Sequence, residues 1–252
     1  MVAAGIAGAT RTQSPAQNVV SAPRVGNNLR QAEDDYRLGL QAADGIGVPK
    51  DYAEAARYYR RAAESGYAPA QYNLADLYEN GLGVKQDFAQ AAAWYRRAAD
   101  QGDPESQNNL GVLYSTGQGV PHDDAEAVRL YGLAAAQDDP EGISNLASML
   151  LQGRGIARDP GRAFQLFSKA ANRGYASAQN NLGLMYANGH GCSRNYVKAY
   201  AWLDIAAAEI PNAAIVRDAV AKEMTPAQIA QARKLAAQMR KELGQAKEGK
   251  TR

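Results

Sequence analysis

The sequence predicts an all-α protein in which five helix-turn-helix repeats of 36 residues stack into a solenoid. The first observation is a Gly-x-Gly triplet that recurs every 36 residues, and the second is a leucine at a fixed distance before each triplet. The third is an alanine-rich composition with few Val and Ile, which favours helix over sheet. A fixed period of this length is typical of stacked units that bury their apolar faces only against their neighbours. The first glycines are Gly45, Gly81, Gly117, Gly153 and Gly189, and the second are Gly47, Gly83, Gly119, Gly155 and Gly191.

The first helix of each repeat is predicted from two large side chains spaced four residues apart, which places both on one helical face. In the second repeat these are Leu74 and Tyr78, and the small Ala75 between them lets another helix approach closely. The first glycine of the triplet suits the left-handed conformation that closes a helix. The leucines of the five repeats are Leu38, Leu74, Leu110, Leu146 and Leu182.

The second helix is predicted to begin after a residue whose side chain caps a helix N-terminus. A bulky pair and an Ala-Ala step follow in every repeat, as in Trp94-Tyr95 and Ala98-Ala99. Large side chains that face paired alanines provide the fit that close-packed helices need. A glycine, or Asp138 in the third repeat, ends each of the first four of these helices. The capping residues are Asp51, Asp87, Asp123, Asp159 and Asn195.

The pattern also predicts the boundaries of the array. Residues 1–34 lack apolar periodicity and are predicted to be a disordered leader, whose apolar start suits the remnant of a signal peptide. Two capping helices are predicted over 213–244, the second opened by Thr225 and closed by Gly244. A basic flexible tail is predicted over 245–252. The five repeats are predicted at 35–68, 69–104, 105–140, 141–176 and 177–212.

The charge distribution argues against a nucleic-acid-binding surface. Residues 213–252 hold nine Lys and Arg against four Asp and Glu, whereas residues 35–212 hold sixteen against twenty. A nucleic-acid footprint needs basic residues clustered on the folded face. The single cysteine, Cys192, excludes an internal disulfide, and no apolar run is long enough to cross a bilayer. We expect a monomer, and a periplasmic or secreted location over a cytoplasmic one.

The string that recurs in every repeat, seen almost whole from Ala70-Gln71-Tyr72-Asn73-Leu74 to Gly102, resembles the Sel1-like repeat family, a relative of the tetratricopeptide family. The resemblance implies a right-handed superhelix whose first helices line a concave face, and a role as an adaptor or scaffold. Cysteine-rich relatives with a disulfide in each repeat, some with penicillin binding, differ from this chain. The clamp with which tetratricopeptide adaptors hold a peptide carboxylate is also absent, because Asp76, Val112, Ser148 and Leu184 stand at its positions.

No motif predicts catalysis, a metal site or a cofactor. The glycine triplets lack the strand and the Lys-Ser/Thr pair of a phosphate-binding loop. His190 and Cys192 stand together in one turn, but the other histidine, His122, is two repeats away, so a structural role is favoured over a catalytic pair.

The resemblance therefore directs the functional prediction to the concave face, whose predicted lining varies from repeat to repeat. We expect it to bind an uncharged or weakly basic peptide segment or helix. An enzyme related to the cell wall or to β-lactams, and a structural protein of the envelope, are the alternatives. An asparagine series, Asn73, Asn109, Asn145 and Asn181, either links neighbouring repeats through the backbone or holds the peptide. The predicted lining comprises Tyr72, Asp76, Glu79, Asn80, Asn108, Val112, Ser115, Asn145, Ser148, Leu151, Asn181, Leu184 and Asn188.

Overall fold

The computed structural model describes the backbone of residues 25–248 and the side chains of residues 28–244, and within these ranges it contains twelve helices and no strand. The first helices of the five repeats are α1 (Val25–Asp44), α3 (Ala68–Asn80), α5 (Pro104–Thr116), α7 (Pro140–Gln152) and α9 (Ala176–Asn188). The second helices are α2 (Tyr52–Glu64), α4 (Phe88–Asp100), α6 (Asp124–Ala136), α8 (Pro160–Ala171) and α10 (Tyr196–Ala206), and the cap consists of α11 (Pro211–Ala221) and α12 (Pro226–Glu248).

Both ends of the array differ from the predicted boundaries. Helix α1 begins at Val25, so residues 25–34 of the predicted disordered leader are helical, and residues 1–24 lie outside the described range. Ala32 is buried in the first core and the buried Asp35 pairs with Arg61 of α2, which anchors this part of α1. Helix α12 continues through Gly244 to Glu248, so residues 245–248 of the predicted flexible tail are also helical. Residues 249–252 lie outside the described range.

From α1 to α11 each helix packs against its neighbours along the chain, which produces the predicted solenoid, and α12 packs against α10. Four of the five repeat leucines, Leu74, Leu110, Leu146 and Leu182, are buried as predicted. Leu38 is the exception and remains 39% exposed. The reason is positional, because within the described residues no second helix precedes α1 to cover it. An end repeat of a linear array lacks one neighbour, and its packing positions are therefore left partly open.

Glycine is required at the two positions of each triplet for different structural reasons. The first, such as Gly117 with φ of 70°, adopts the left-handed conformation that closes the first helix. The second, such as Gly119, also has φ of 70°, and a Cβ atom there would overlap the backbone of Phe88 at the start of α4. Gly83, Gly155 and Gly191 abut the preceding second helix in the same way, whereas Gly47 meets nothing. The second glycine thus sets how closely one repeat stacks on the one before it.

Buried glutamines connect successive repeats through their side chains. Gln71 donates to the carbonyl oxygen of Ala63 in the preceding repeat at 3.0 Å and accepts from Gln101 of its own repeat at 2.7 Å. Gln107 and Gln137 repeat the second contact at 3.0 Å. The bond to Ala63 reaches a carbonyl group in the last turn of α2, where carbonyl groups lack an intrahelical partner. In the fourth repeat Ile143 stands in place of the glutamine, and the contact is absent there.

The predicted N-terminal caps of the second helices are confirmed. The Asp87 carboxylate accepts from the backbone N–H groups of Ala89 and Gln90, each at 3.0 Å, and Asp51, Asp123, Asp159 and Asn195 cap their helices similarly. These bonds pair backbone donors that the first turn leaves free. Asp138, which stands in place of the glycine that follows α2, α4 and α8, has a left-handed backbone with φ of 65°.

The C-terminal cap covers the last repeat, as predicted. Helix α12 packs against α10 and buries Ala232 and Ala236. Asp204 of α10 pairs with Arg217 of α11 at 2.8 Å and with Arg240 of α12 at 2.6 Å. One carboxylate therefore connects all three helices at this end of the solenoid.

Candidate functional site

The surface formed by α3, α5, α7 and α9 is here called the inner face, and it is the surface that the family resemblance implies to be concave. The first helices α5 and α7 contact one another across successive repeats, and within the described residues no pair of successive second helices makes an equivalent contact. Helices that lie closer together on one side of a stack curve the stack towards that side. The inner face is therefore the surface around which a ligand would be most fully enclosed.

From α3 to α10, basic side chains within the helices occur only on the second helices. Helices α3, α5, α7 and α9 contain no Lys or Arg, whereas the second helices α2, α4, α6, α8 and α10 all contain at least one. The inner helices contain four carboxylates, and two further aspartates cap α5 and α7. Within the described side chains none of these six carboxylates belongs to an ion pair. They are Asp76, Glu79, Asp103, Glu105, Asp139 and Glu141.

A chain of hydrogen bonds holds the middle of the inner face. The buried Tyr95 of α4 donates its hydroxyl to Glu79 at 2.8 Å, and Asn109 of α5 donates to the same hydroxyl at 3.2 Å. The Tyr72 ring lies against Tyr95 with its centroid 5.8 Å away. Burial raises the pKa of Tyr95, and the nearby Glu79 carboxylate raises it further, so this hydroxyl keeps its proton and remains a donor.

Most of the residues predicted to line the concave face are accessible, and one is not. Asn108 is only 2% exposed, because its amide lies between Glu141, to which it donates at 3.1 Å, and Asn145, which donates to it at 2.8 Å. A peptide cannot reach it, and its role is to position Glu141. The half-buried residues are Tyr72, Asp76, Glu79, Val112, Ser115, Asn145, Ser148, Leu151, Asn181 and Leu184, and the exposed ones are Asn80 and Asn188.

Three members of the asparagine series form side-chain hydrogen bonds to the preceding repeat. Asn73 donates to the Tyr36 hydroxyl at 3.4 Å, Asn109 to the Tyr95 hydroxyl at 3.2 Å, and Asn145 to Asn108 at 2.8 Å. These three bonds go to side chains and not, as expected, to neighbouring backbone. At the equivalent position the partner of Asn181 would be Ser144, and no such bond forms. The series is therefore structural in the early repeats and incomplete near α9.

A depression of about 380 Å³ opens on the inner face between successive repeats. Its walls include Tyr72 of α3, Glu105 and Asn109 of α5, and the start of α7, and Tyr175, which precedes α9, closes one side. Of these residues, sequence reasoning selected Tyr72 and, as a member of the asparagine series, Asn109. It overlooked Glu105, Asp139, Glu141 and Tyr175, since they stand at helix starts where a capping role explains them.

The depression concentrates negative charge in a partly desolvated place. Burial raises the pKa of Glu141, and the neighbouring carboxylates of Asp139 and Glu105 raise it further. Burial likewise raises the pKa of Asp139, although the backbone N–H of Gly142 opposes the shift. Burial raises the pKa of Asp76 as well. Like charges and desolvation both disfavour the ionised carboxylate, so this part of the inner face is electrostatically unsatisfied.

The remaining candidates for chemistry lie away from the inner face. His122, His190 and Cys192 are in the turns between helices. Burial raises the pKa of Cys192, which keeps it a thiol instead of a reactive thiolate. Among the described side chains, no group of three or more His, Cys, Asp or Glu residues is arranged to hold a metal ion. The described helices include none with the length and apolar character needed to span a membrane.

The Sel1 repeat pattern matches the chain five times in succession, at residues 32–67, 68–103, 104–139, 140–175 and 176–209. The chain belongs to the Sel1 repeat family. These matches begin up to three residues before the repeat boundaries predicted from the glycine triplets, and they cover the same five units. No protein of curated function matches the chain.

Several solved structures share this fold, two of them described as Sel1 repeat proteins. A Sel1 repeat protein from Oxalobacter formigenes is 31% identical with a TM-score of 0.66, covering 72% of this chain and 74% of its own. A putative Sel1 repeat protein from Klebsiella pneumoniae is 24% identical with a TM-score of 0.51, covering 77% and 96%. The immunity protein Pa5087 from Pseudomonas aeruginosa is 24% identical with a TM-score of 0.51, covering 85% and 81%. The last two likenesses concern the fold alone.

Proposed function

We propose that this Sel1 repeat protein is a non-catalytic interaction module that binds a peptide segment or helix of a partner protein along its inner face. The observation that supports the proposal most is the contrast between constant packing positions and variable inner positions. Leu74, Leu110, Leu146 and Leu182 are all buried leucines, whereas the inner positions two residues later hold Asp76, Val112, Ser148 and Leu184. A surface that changes from repeat to repeat on a constant framework suits one specific ligand.

The inner face offers both kinds of contact that peptide recognition uses. Half-buried apolar side chains such as Val112, Leu151 and Leu184 provide area that a ligand would remove from water. Polar groups such as Asn109 and Ser148 provide donors and acceptors that fix the register of a bound segment. An enzyme of the cell-wall type has less support, because the histidines and the cysteine lie in turns away from this surface.

Ser148→Arg tests the proposal, with Ser168→Arg as its matched control. Both serines are half-buried, but Ser148 lies on α7 of the inner face and Ser168 on α8 of the opposite side. The Ser148 hydroxyl bonds only to a carbonyl of its own helix, so its loss should leave the fold intact. Against peptides selected from a random display library, we expect Ser148→Arg to weaken binding by at least about tenfold.

The control variant Ser168→Arg should bind the selected peptides as the wild type does, and both variants should keep the wild-type circular dichroism spectrum. Fluorescence polarisation with the labelled peptides measures the affinities. Equal affinities for the wild type, Ser148→Arg and Ser168→Arg would place binding elsewhere and contradict the proposal.

A further inference from the structure

The depression on the inner face has the composition of a pocket for a cationic side chain. Tyr72 and Tyr175 present aromatic rings, and Glu105, Asp139 and Glu141 present carboxylates to the same space. A cation is attracted to the face of an aromatic ring and to carboxylates that surround it. Building on the proposed function, we propose that this pocket binds a lysine or arginine side chain, so that the ligand of the inner face is a basic peptide segment.

The first argument is that these carboxylates differ from the others that the array uses. Asp124 pairs with Arg154 at 2.7 Å, and Asp204 pairs with two arginines, so carboxylates in the described part of the chain commonly have cationic partners. The carboxylates of the pocket have none, and the inner helices supply no Lys or Arg that could reach them. Because these neighbouring carboxylates repel one another and Asp139 is half-buried, an external cation gains more here than at a single isolated carboxylate.

The second argument is the combination of rings and charges in the walls. Tyr72 and Tyr175 lie beside the three carboxylates. A lysine or arginine side chain can place its aliphatic stem against the rings while its charge lies next to the carboxylates.

The third argument is geometric specificity. Asn108 fixes the Glu141 carboxylate from the buried side, with its amide 3.1 Å away, and Asn145 fixes Asn108 in turn. Tyr72 is held in place by its contact with the Tyr95 ring. The walls of the pocket are therefore positioned before any ligand arrives, which lowers the entropic cost of binding.

Three fluorescein-labelled peptides of equal length test the proposal, with alternating Lys-Ala, Gln-Ala and Glu-Ala sequences. We expect the Lys-Ala peptide to bind the full chain at least about tenfold more tightly than either of the others. The double variant Glu105→Gln/Glu141→Gln should lose most of this affinity. Its matched control, Glu64→Gln/Asp100→Asn, removes two exposed carboxylates at the ends of α2 and α4 and should stay within about twofold of the wild type.

Several outcomes would overturn the proposal. Equal loss of Lys-Ala binding in the two double variants would show a diffuse charge effect, and no loss in Glu105→Gln/Glu141→Gln would exclude the pocket. Failure of all three peptides to bind would also contradict it. Tight binding of the Gln-Ala peptide that Ser148→Arg abolishes would refute the basic ligand and leave the proposed function standing. The replaced groups repel one another, so the double variant should keep the wild-type thermal midpoint, which separates lost binding from unfolding.

Discussion

Replacing Gly119 with alanine is expected to lower the free energy of unfolding by about 3–5 kcal/mol. Alanine is strained in the left-handed conformation, and its methyl group would also overlap neighbouring backbone. The φ of 70° costs any residue other than glycine, and the Cβ atom would overlap the carbonyl of Phe88 in the preceding repeat. The two repeats would have to move apart, which loosens the packing between α4 and α5. Urea denaturation followed by circular dichroism measures the loss.

The equivalent glycine of the first repeat provides the control for this effect. Gly47 has a φ of 74°, close to that of Gly119, but a Cβ atom there meets no other atom within contact distance. Gly47→Ala should therefore cost only the strain of the left-handed backbone, about 1 kcal/mol. If the two substitutions destabilise the protein equally, the second glycine does not set the spacing between repeats.

Leu110→Ala is expected to lower the free energy of unfolding by about 2–5 kcal/mol, because truncating this side chain leaves a cavity at the centre of the array. Leu110 is almost fully buried in the first core, between the second and third repeats. Leu38→Ala removes the corresponding leucine of the first repeat, which is already 39% exposed, and should cost about 1 kcal/mol or less. Thermal and urea unfolding of the two variants give the comparison.

The difference between the two leucines depends on a property specific to linear arrays. A middle repeat is held by two neighbours and an end repeat by one, so identical substitutions have unequal effects. In a globular core, which has no end repeats, two leucines in the same sequence context would be expected to contribute similarly to stability. Similar losses of stability at Leu38 and Leu110 would therefore argue against the stacked arrangement.

The sequence predicts the features that depend on residues close together in the chain, such as helix caps and turn glycines. Local backbone chemistry predicts the N-terminal caps Asp51 and Asp87 and the left-handed glycines that close the first helices, and both are confirmed at Gly81, Gly117, Gly153 and Gly189 and at the two caps. The period then extends each local prediction to the other repeats. The sequence does not predict the start of α1, because the residues before Asp35 show no helical periodicity. In the structure this part of α1 is held by the buried Ala32 and by the ion pair of Asp35 with Arg61.

The features that depend on contacts between repeats could not be predicted in the same way. The second role of Gly119 depends on where α4 of the preceding repeat begins, which the sequence period alone does not give. Asn108 was expected at the concave surface, but Glu141 and Asn145 from the next repeat cover it. The pocket combines residues from three repeats, and each carboxylate looks like an ordinary helix-start residue when its own repeat is considered alone.

Photocrosslinking from the two sides of the array tests most directly whether the inner face is the binding surface. A benzoylphenylalanine at Val112 places the reactive group on α5 of the inner face, and one at Leu133 places it on the exposed side of α6. With peptides selected against the wild type, we expect irradiation to crosslink peptide to the Val112 variant and little to the Leu133 variant. Equal crosslinking at both positions, or crosslinking only at Leu133, would contradict the account.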